Sequence, residues 1–472
     1  MLNFCINNRN RSLLILLLPV IITFFITLIP TLKYQWPLSW DVFYHVHMAK
    51  LYMENGITFF DPLTFAPYGR PTFYTPLFHY LVALFSLSFK IEPFFVARFL
   101  QPVFASFIVF SAVYVIYKIY DIYTGFVTGF FLMFSINFFR FMLPIPESMA
   151  LIFFPLVIYG YYSALENDKY QMAIIAGLLG GIILLTHSLT AICLVLVLTV
   201  YTLIMKIQKR KDNLKHFWIL LIFMLLLASL WWIPIISIYA YVFNNPPGNK
   251  IHLLAYIKFY GIITIVFAIF GGFLMLKRRF SNDLLILSGT FSLIFFSQIY
   301  WLGIPILSDR ILTFSVFFVS VLAANGLKNF RIKNHENFNH IIVLFIIILA
   351  IFASVYGAQK LEPSSDLHEI DIANWFKFNG NKHKVVITSN YELSPVIVSI
   401  ARQPVSEGGY GPGVIHFIHK KKYVFGDFSC YDALKDNIGY LVLETYKPTP
   451  TNTIVVYSNE KYKICKIKLN KI

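Results

Sequence analysis

The chain has 472 residues, of which 58% are hydrophobic and 13% charged, and its 49 phenylalanines alone set it apart from soluble proteins, where roughly a quarter of residues are charged. A soluble globular class is excluded, and an integral membrane protein is indicated. The formal charge of +16 is carried mostly by short basic runs between apolar segments, which is the positive-inside pattern of a membrane protein rather than a nucleic-acid surface.

The first apolar run, 13–29, has basic flanks but no small-residue cleavage site and reads as a retained span. A crossing helix needs roughly 20 mostly apolar residues. Spans are expected at 12–32, 94–117, 122–141, 147–165, 171–186, 189–206, 216–236, 255–275, 284–302, 309–327 and 340–358. The stretch 73–89 is shorter, follows a proline and is interrupted by His79. If it does not cross, the basic runs 206–215, 277–279 and 328–333 share a side with Arg9 and Arg11; if it crosses, they fall opposite. The positive-inside rule selects the first arrangement. The fold class is therefore mainly α: a polytopic helical membrane protein of about eleven spans, with a cytoplasmic amino terminus and 73–89 as an outer-face or re-entrant helix.

This topology gathers Asp41, Glu147, His187 and Arg310 on the outer side, each near the end of a different span. On a helix opened by Asp41, the residues Val42, Val46, Ala49 and Met53 form an apolar stripe. Asp41, His45 and Tyr52 form a neighbouring stripe, and His47, Lys50 and Glu54 a third face. Such a helix would lie along the membrane surface, and its first-turn carboxylate is either a dipole partner or a functional acid. Glu147 follows Pro144-Ile145-Pro146, an ordinary helix start, yet a second carboxylate beside Asp41 could hold a divalent metal or share acid–base work. His187 is either a turn residue between two spans or a functional group. Arg310 either snorkels or pairs with Asp309, or supplies a planar cation to a lipid-borne phosphate.

After about residue 359 charged residues return. A helix at 366–378 and strands at 384–388, 440–444 and 453–457 predict a small extracytoplasmic α/β domain at 359–472, following a transmembrane domain at 1–358 whose first outer loop is 33–93. The four cysteines show no metal spacing; Cys430 and Cys465 fall in the same domain and could pair.

The run from Asp41 through Glu54-Asn55-Gly56 to Tyr68-Gly69-Arg70-Pro71 resembles the first outer loop of GT-C membrane glycosyltransferases, especially oligosaccharyltransferase catalytic subunits. The resemblance implies that Asp41 is the first active-site carboxylate and that Glu147 stands where the family has a second acidic motif. It also implies donor-phosphate binding by Arg310. A Mg²⁺ or Mn²⁺ is expected at the paired carboxylates of Asp41 and Glu147, with His187 and Arg70 beside Arg310 on the donor phosphate and Tyr44 and His45 lining the substrate cleft. Arg310 and Phe314 partly match the family's late-span arginine motif. The family's acceptor-reading W-W-D-Y-G is replaced by Ser389-Asn390-Tyr391-Glu392-Leu393-Ser394.

The function expected is transfer of a sugar or oligosaccharide from a polyprenyl- or dolichyl-phosphate-linked donor to an acceptor protein, glycan or lipid at the outer face, with no nucleic-acid partner. The alternatives are a non-catalytic scaffold of the same fold and a lipid or solute transporter. A transporter would place charges along a path through the bilayer, whereas the residues above sit at span ends.

Overall fold

The computed structural model describes residues 9–208, 214–239, 248–330, 336–408, 423, 426 and 428–468. The chain forms two compact units: Met1–Lys33, Phe99–Trp231 and Asn245–Leu361 make the first, and Tyr34–Arg98, Trp232–Asn244 and Glu362–Ile472 the second.

The first unit is helical. Its apolar helices are α1 (Arg9–Lys33), α4 (Pro93–Ile119), α5 (Ile122–Phe134), α7 (Pro146–Asn167), α8 (Tyr170–Leu184), α9 (Ser188–Ile207), α10 (Leu214–Tyr239), α12 (Ile262–Arg278), α13 (Ser281–Ser297), α14 (Ser308–Asn329) and α15 (Glu336–Lys360); the first residues of α4 and the last of α10 belong to the second unit. Each expected span coincides with one of them. Among the described residues, seven are long and apolar enough to cross a bilayer by themselves: Leu14–Lys33, Pro93–Ile119, Pro146–Asn167, Ser188–Ile207, Leu214–Tyr239, Ser308–Asn329 and His340–Lys360. The chain is a multi-pass membrane protein.

Two expected spans are broken. The run 122–141 ends as a helix at Phe134, and its remainder forms one turn, α6 (Phe138–Phe141). The run 255–275 is cut at Gly261, φ +80°, into α11 (Ala255–Tyr260) and α12. Asp121 caps α5 by accepting from the Thr124 amide at 3.0 Å, and Lys328 pairs with the same carboxylate at 2.6 Å. Helix α14 is central, with 94% of its apolar window buried against 22% for α15. It packs on α12 through two glycines: a Cβ on Gly271 would fall 1.9 Å from the Leu322 carbonyl oxygen, and one on Gly326 would fall 2.1 Å from that of Phe267.

The second unit joins the first loop to the tail. Its elements are α2 (Asp41–Asn55), β1 (Phe60–Asp61), β2 (Arg70–Pro71), α3 (Leu77–Phe89), α16 (Leu367–Asn379), β3 (Val385–Thr388), α17 (Leu393–Ala401), α18 (Cys430–Lys435), β4 (Ile438–Glu444), β5 (Thr453–Ser458) and β6 (Tyr462–Ile467). The sheet order is β3-β4-β6-β5, with β3 and β4 parallel and the remaining pairs antiparallel. Helix α16 starts one residue after the expected position because Asp366 is its cap, accepting from the Glu369 amide at 2.9 Å. Strand β6 was not expected. Cys430 and Cys465 are both free thiols, so the pairing considered from sequence does not form.

The first loop is part of the tail's fold. The Ala66 amide donates to the Val405 carbonyl at 2.9 Å, and the Val405 amide donates to that of Leu63 at 2.8 Å. Ala66 also sits in the core made by Val385, Ile387, Leu441 and Cys465. The sequence division at residue 358 therefore cuts through a unit that takes 34–98 with 362–472. Helix α3, 13 residues long, is one of the shorter apolar helices, as are α5, α8 and α13.

Candidate active site

In the first unit, the segment after α5 builds a charged centre within apolar surroundings. The Ser135 hydroxyl donates to the Phe259 carbonyl at 2.6 Å, anchoring the break from which α6 presents Arg140. The Leu143-Pro144-Ile145 segment then leads into α7, with Pro146 at its start and Glu147 in its first turn. Arg140 grips the Glu147 carboxylate with two bonds, Nε to Oε1 at 2.5 Å and Nη2 to Oε2 at 2.9 Å. From the first turn of α14, Arg310 donates Nη1 to the same Oε2 at 3.0 Å. The carboxylate is 1% exposed, while the Arg140 and Arg310 side chains are 20% and 28% exposed. Two planar cations thus share one buried anion. Asp309 accepts from Asn249 Nδ2 at 2.8 Å.

His187 caps α9. Its Nδ1 accepts from the Thr190 amide at 3.3 Å and lies 2.7 Å from the Thr190 hydroxyl. An amide can only donate, so Nδ1 carries the lone pair and the ring proton sits on Nε2. Burial and the positive charge of Arg140 lower the pKa of His187, against the opposing pull of Glu147. The ring is therefore neutral near pH 7 and offers one N–H donor in the field of that ion cluster.

In the second unit, Asp41 opens α2 and is partly exposed. The preceding Trp40 donates its indole N–H to the Glu392 carbonyl at 2.6 Å and meets Tyr391 edge-on at 6.0 Å. The expected surface helix is instead buried from Val42 to Ala49, because α3 and α17 pack on it. The face carrying His47, Lys50 and Glu54 meets α17. There Arg402, just past the end of α17, donates to Glu54 through Nε at 2.9 Å and Nη2 at 2.5 Å. Its Nη1 lies 2.6 Å from His47 Nδ1. A guanidinium cannot accept, so His47 accepts at Nδ1 and donates Nε2–H to Asp61 at 2.9 Å. Burial lowers the His47 pKa, opposed by Asp61. Burial alone would raise Asp61, but His47, Arg70 and Thr64 hold it well below the usual carboxylate range.

Three expected substrate contacts lie in this buried cluster. His45 Nδ1 meets His79 Nε2 at 2.9 Å, with the rings stacked 5.1 Å apart. Burial, with a smaller contribution from His47, pushes His79 down to about 3. Arg70, expected on the donor phosphate, is 3% exposed; it donates to the Gly408 carbonyl at 2.8 Å and stacks over Phe65 and Tyr44 at 4.8 and 5.1 Å. Arg70, His45 and Tyr44 thus order the loop's interior, since a guanidinium held between two rings and a carbonyl is not presented to a lipid.

Of the residues singled out from sequence, the structure brings together Glu147, Arg310 and His187, and adds Arg140. The missed signal was local: Arg140 is the only charged residue between Asp121 and Glu147. The donor set does not fit a divalent cation as it stands. Both Glu147 oxygens accept from guanidinium groups, and an ion there would have to displace at least one arginine. Among the described residues, no three His, Cys, Asp or Glu side chains are grouped for metal binding.

No family model matches the chain. No curated protein matches it either. Solved structures do. The archaeal oligosaccharyltransferase AglB from Archaeoglobus fulgidus, in complex with an inhibitory peptide and a dolichol-phosphate, aligns at 12% identity and TM-score 0.69 over 92% of this chain and 69% of that one. ArnT from Cupriavidus metallidurans, bound to undecaprenyl phosphate, aligns at 12% identity and TM-score 0.66 over 97% and 98%. The arabinofuranosyltransferase AftD from Mycobacteria aligns at 11% identity and TM-score 0.61 over 98% and 40%. At such identities the likeness concerns the fold, and the fold is GT-C.

Proposed function

We propose that this GT-C-fold chain is a membrane glycosyltransferase that moves a sugar or oligosaccharide from a polyprenyl-phosphate-linked donor to an acceptor. The observation that carries the reading is the Arg140–Glu147–Arg310 cluster at the starts of α7 and α14, within a fold matching ArnT over nearly the whole of both chains. The lipid phosphates named with AglB and ArnT support a donor of that class.

A sugar joined to phosphate is already activated, so the enzyme has to position the acceptor, take its proton and neutralise the departing phosphate. The acceptor's nucleophilic atom bonds to the anomeric carbon as the bond from that carbon to the phosphate oxygen breaks. The phosphate leaves with the electron pair, and Asp41 takes the acceptor's proton. Arg310 and Arg140 stabilise the charge on the phosphate, with His187 Nε2–H as a neutral donor. Glu147 acts as the positioning carboxylate that fixes both guanidinium planes. With no W-W-D-Y-G at 389–394, the acceptor is not restricted to an asparagine sequon.

The test uses membranes containing the full chain and labelled dolichyl- and undecaprenyl-phosphate-linked sugars. Asp41→Asn is expected to lower transfer by roughly 10²–10⁴-fold, the usual contribution of a positioned base. Wild-type transfer by Asp41→Asn would overturn its assignment. Absence of transfer from either donor by the wild-type chain, across protein, glycan and lipid acceptors, would overturn the transferase reading.

A further inference from the structure

Two short segments of the first unit, 248–257 and 298–307, are built contrary to the rule for water-facing loops. Gln298, Tyr256 and Asn249 turn their polar groups inward and are bonded. Gln298 donates to the Tyr256 hydroxyl at 2.6 Å, and that hydroxyl lies 2.9 Å from the Ser297 hydroxyl. The Asn249 amide donates to the Ile306 carbonyl at 3.0 Å, and its side chain accepts from the Ser308 amide at 2.7 Å while donating to Asp309. Gly248 is packed so closely that a Cβ there would lie 2.5 Å from the Tyr300 ring.

The apolar side chains turn outward. Leu253 and Leu254 are each 79% exposed, Leu302 is 70% and Trp301 is 55%. Contiguous apolar exposure of this kind on a rigidly bonded scaffold marks a surface that meets something other than water. Lys250 is exposed and lies over the rings of Trp301 and Tyr300, at 4.9 and 5.4 Å. A lysine and a tryptophan at the ends of spans, beside exposed leucines, match the boundary between headgroups and acyl chains. The same apolar surface continues down α12 through exposed Ile262, Val266, Ile269 and Phe273.

We propose that these two segments form a lip inserted into the headgroup–acyl boundary of the bilayer, with Lys250 at the phosphate level and Leu253, Leu254 and Leu302 in the upper acyl region. The lip is tied to both arginine-bearing segments. Asn249 binds the start of α14 just before Arg310, and Phe259 accepts from the Ile136 amide and the Ser135 hydroxyl four to five residues before Arg140. It therefore fixes the arginine pair at the depth of lipid phosphates, where a donor carried on a prenyl chain presents its own. The inference rests on the multi-pass architecture and is independent of whether the chain transfers sugar.

The experiment labels single cysteines at Leu253, Leu302 and, as an aqueous reference, the exposed Tyr446, in a full-length chain whose native cysteines are replaced. The chain is reconstituted in vesicles of phosphatidylcholine and phosphatidylglycerol and carries an environment-sensitive fluorophore. Labels at 253 and 302 are expected to emit to the blue of the label at 446. They should be quenched several-fold more by a lipid nitroxide near the headgroup than by one at the chain end, and be shielded from aqueous iodide. Iodide quenching equal to that at 446 would overturn the lip. So would blue emission insensitive to either lipid nitroxide, which would mean that protein, not lipid, covers the patch. Lys250→Gln provides a second arm: the shallow-nitroxide quenching at 253 should fall, and unchanged depth would remove Lys250 from the headgroup level.

Discussion

Nη1 of Arg402 lies 2.6 Å from Nδ1 of His47, across 355 residues of sequence, and this single contact determines which nitrogen of His47 carries its proton. It makes the bridge from Glu54 through Arg402 and His47 to Asp61 a directed one. Every donor in it faces an acceptor only while His47 is neutral and Asp61 is ionised.

Acid should loosen the second unit. Both His47 and Asp61 have folded pKa values below their ordinary 6.5 and 3.8, so the unfolded chain takes up these protons first. Stability contributed by the pair is complete above about pH 6.5. It declines as pH falls through that value, and again on the way below 3.8. Thermal unfolding or protease resistance followed from pH 7.5 to 4 should show the loss, and His47→Gln should reduce its upper part, leaving the share of His79, whose folded pKa is also lowered. A profile unchanged by that substitution would contradict the assignment.

Arg402→Ala should destabilise this unit by roughly 1–3 kcal/mol, the range for losing charge-assisted bonds that leave a buried partner unpaired. The effect should centre on residues 41–61 in hydrogen exchange. Arg402→Lys should recover only part of it, because an ammonium cannot serve Glu54 and His47 with one rigid fork.

Glu147→Ala leaves two arginines without their shared anion, and breaking such a buried pair typically costs roughly 3–5 kcal/mol. Glu147→Gln keeps the shape and is the more informative variant. If Glu147 positions the arginines, the donor KM should rise more than kcat falls, and the defect should not respond to added Mg²⁺ or Mn²⁺. Rescue by either ion would restore the carboxylate as a metal ligand.

Arg140→Ala and Arg310→Ala should each lower transfer, by roughly 10²–10³-fold if each donates to the developing phosphate charge. Their combination should cost less than the product of the two, since they share Glu147. Full additivity would mean that the arginines act at separate places.

Gly271→Leu and Gly326→Leu should separate α12 from α14, because even a Cβ would meet backbone at 1.9 and 2.1 Å. Overpacking of this kind costs about 1–3 kcal/mol. Gly272→Leu, whose Cβ would meet only a Leu322 methyl at 3.9 Å, should be far milder.

Local periodicity and charge made the helices legible. Each expected span has a helical counterpart, two of them broken, and the Asp366 cap sets α16 within a residue of its expected start. Long-range pairing was not legible in the same way. The third face of α2 could be read as His47, Lys50 and Glu54, yet nothing near it in sequence announces Arg402. The buried setting of Arg70 follows from Gly408 and two rings, and β6 depends on pairing with both β4 and β5. Arg140 lay within reach of sequence reasoning, because a solitary charge in a phenylalanine-rich break calls for a partner.

Ala66 sits in a core that also needs Val385, Leu441 and Ile467. The ribosome makes Val385 319 residues after Ala66, at about 5–20 residues per second. For tens of seconds the first loop waits with its polar bridge unmade and its apolar side chains without their partner strands. Assembly of this unit therefore follows synthesis of the tail, and a chain truncated before β4 should reach the membrane with its first loop open to protease.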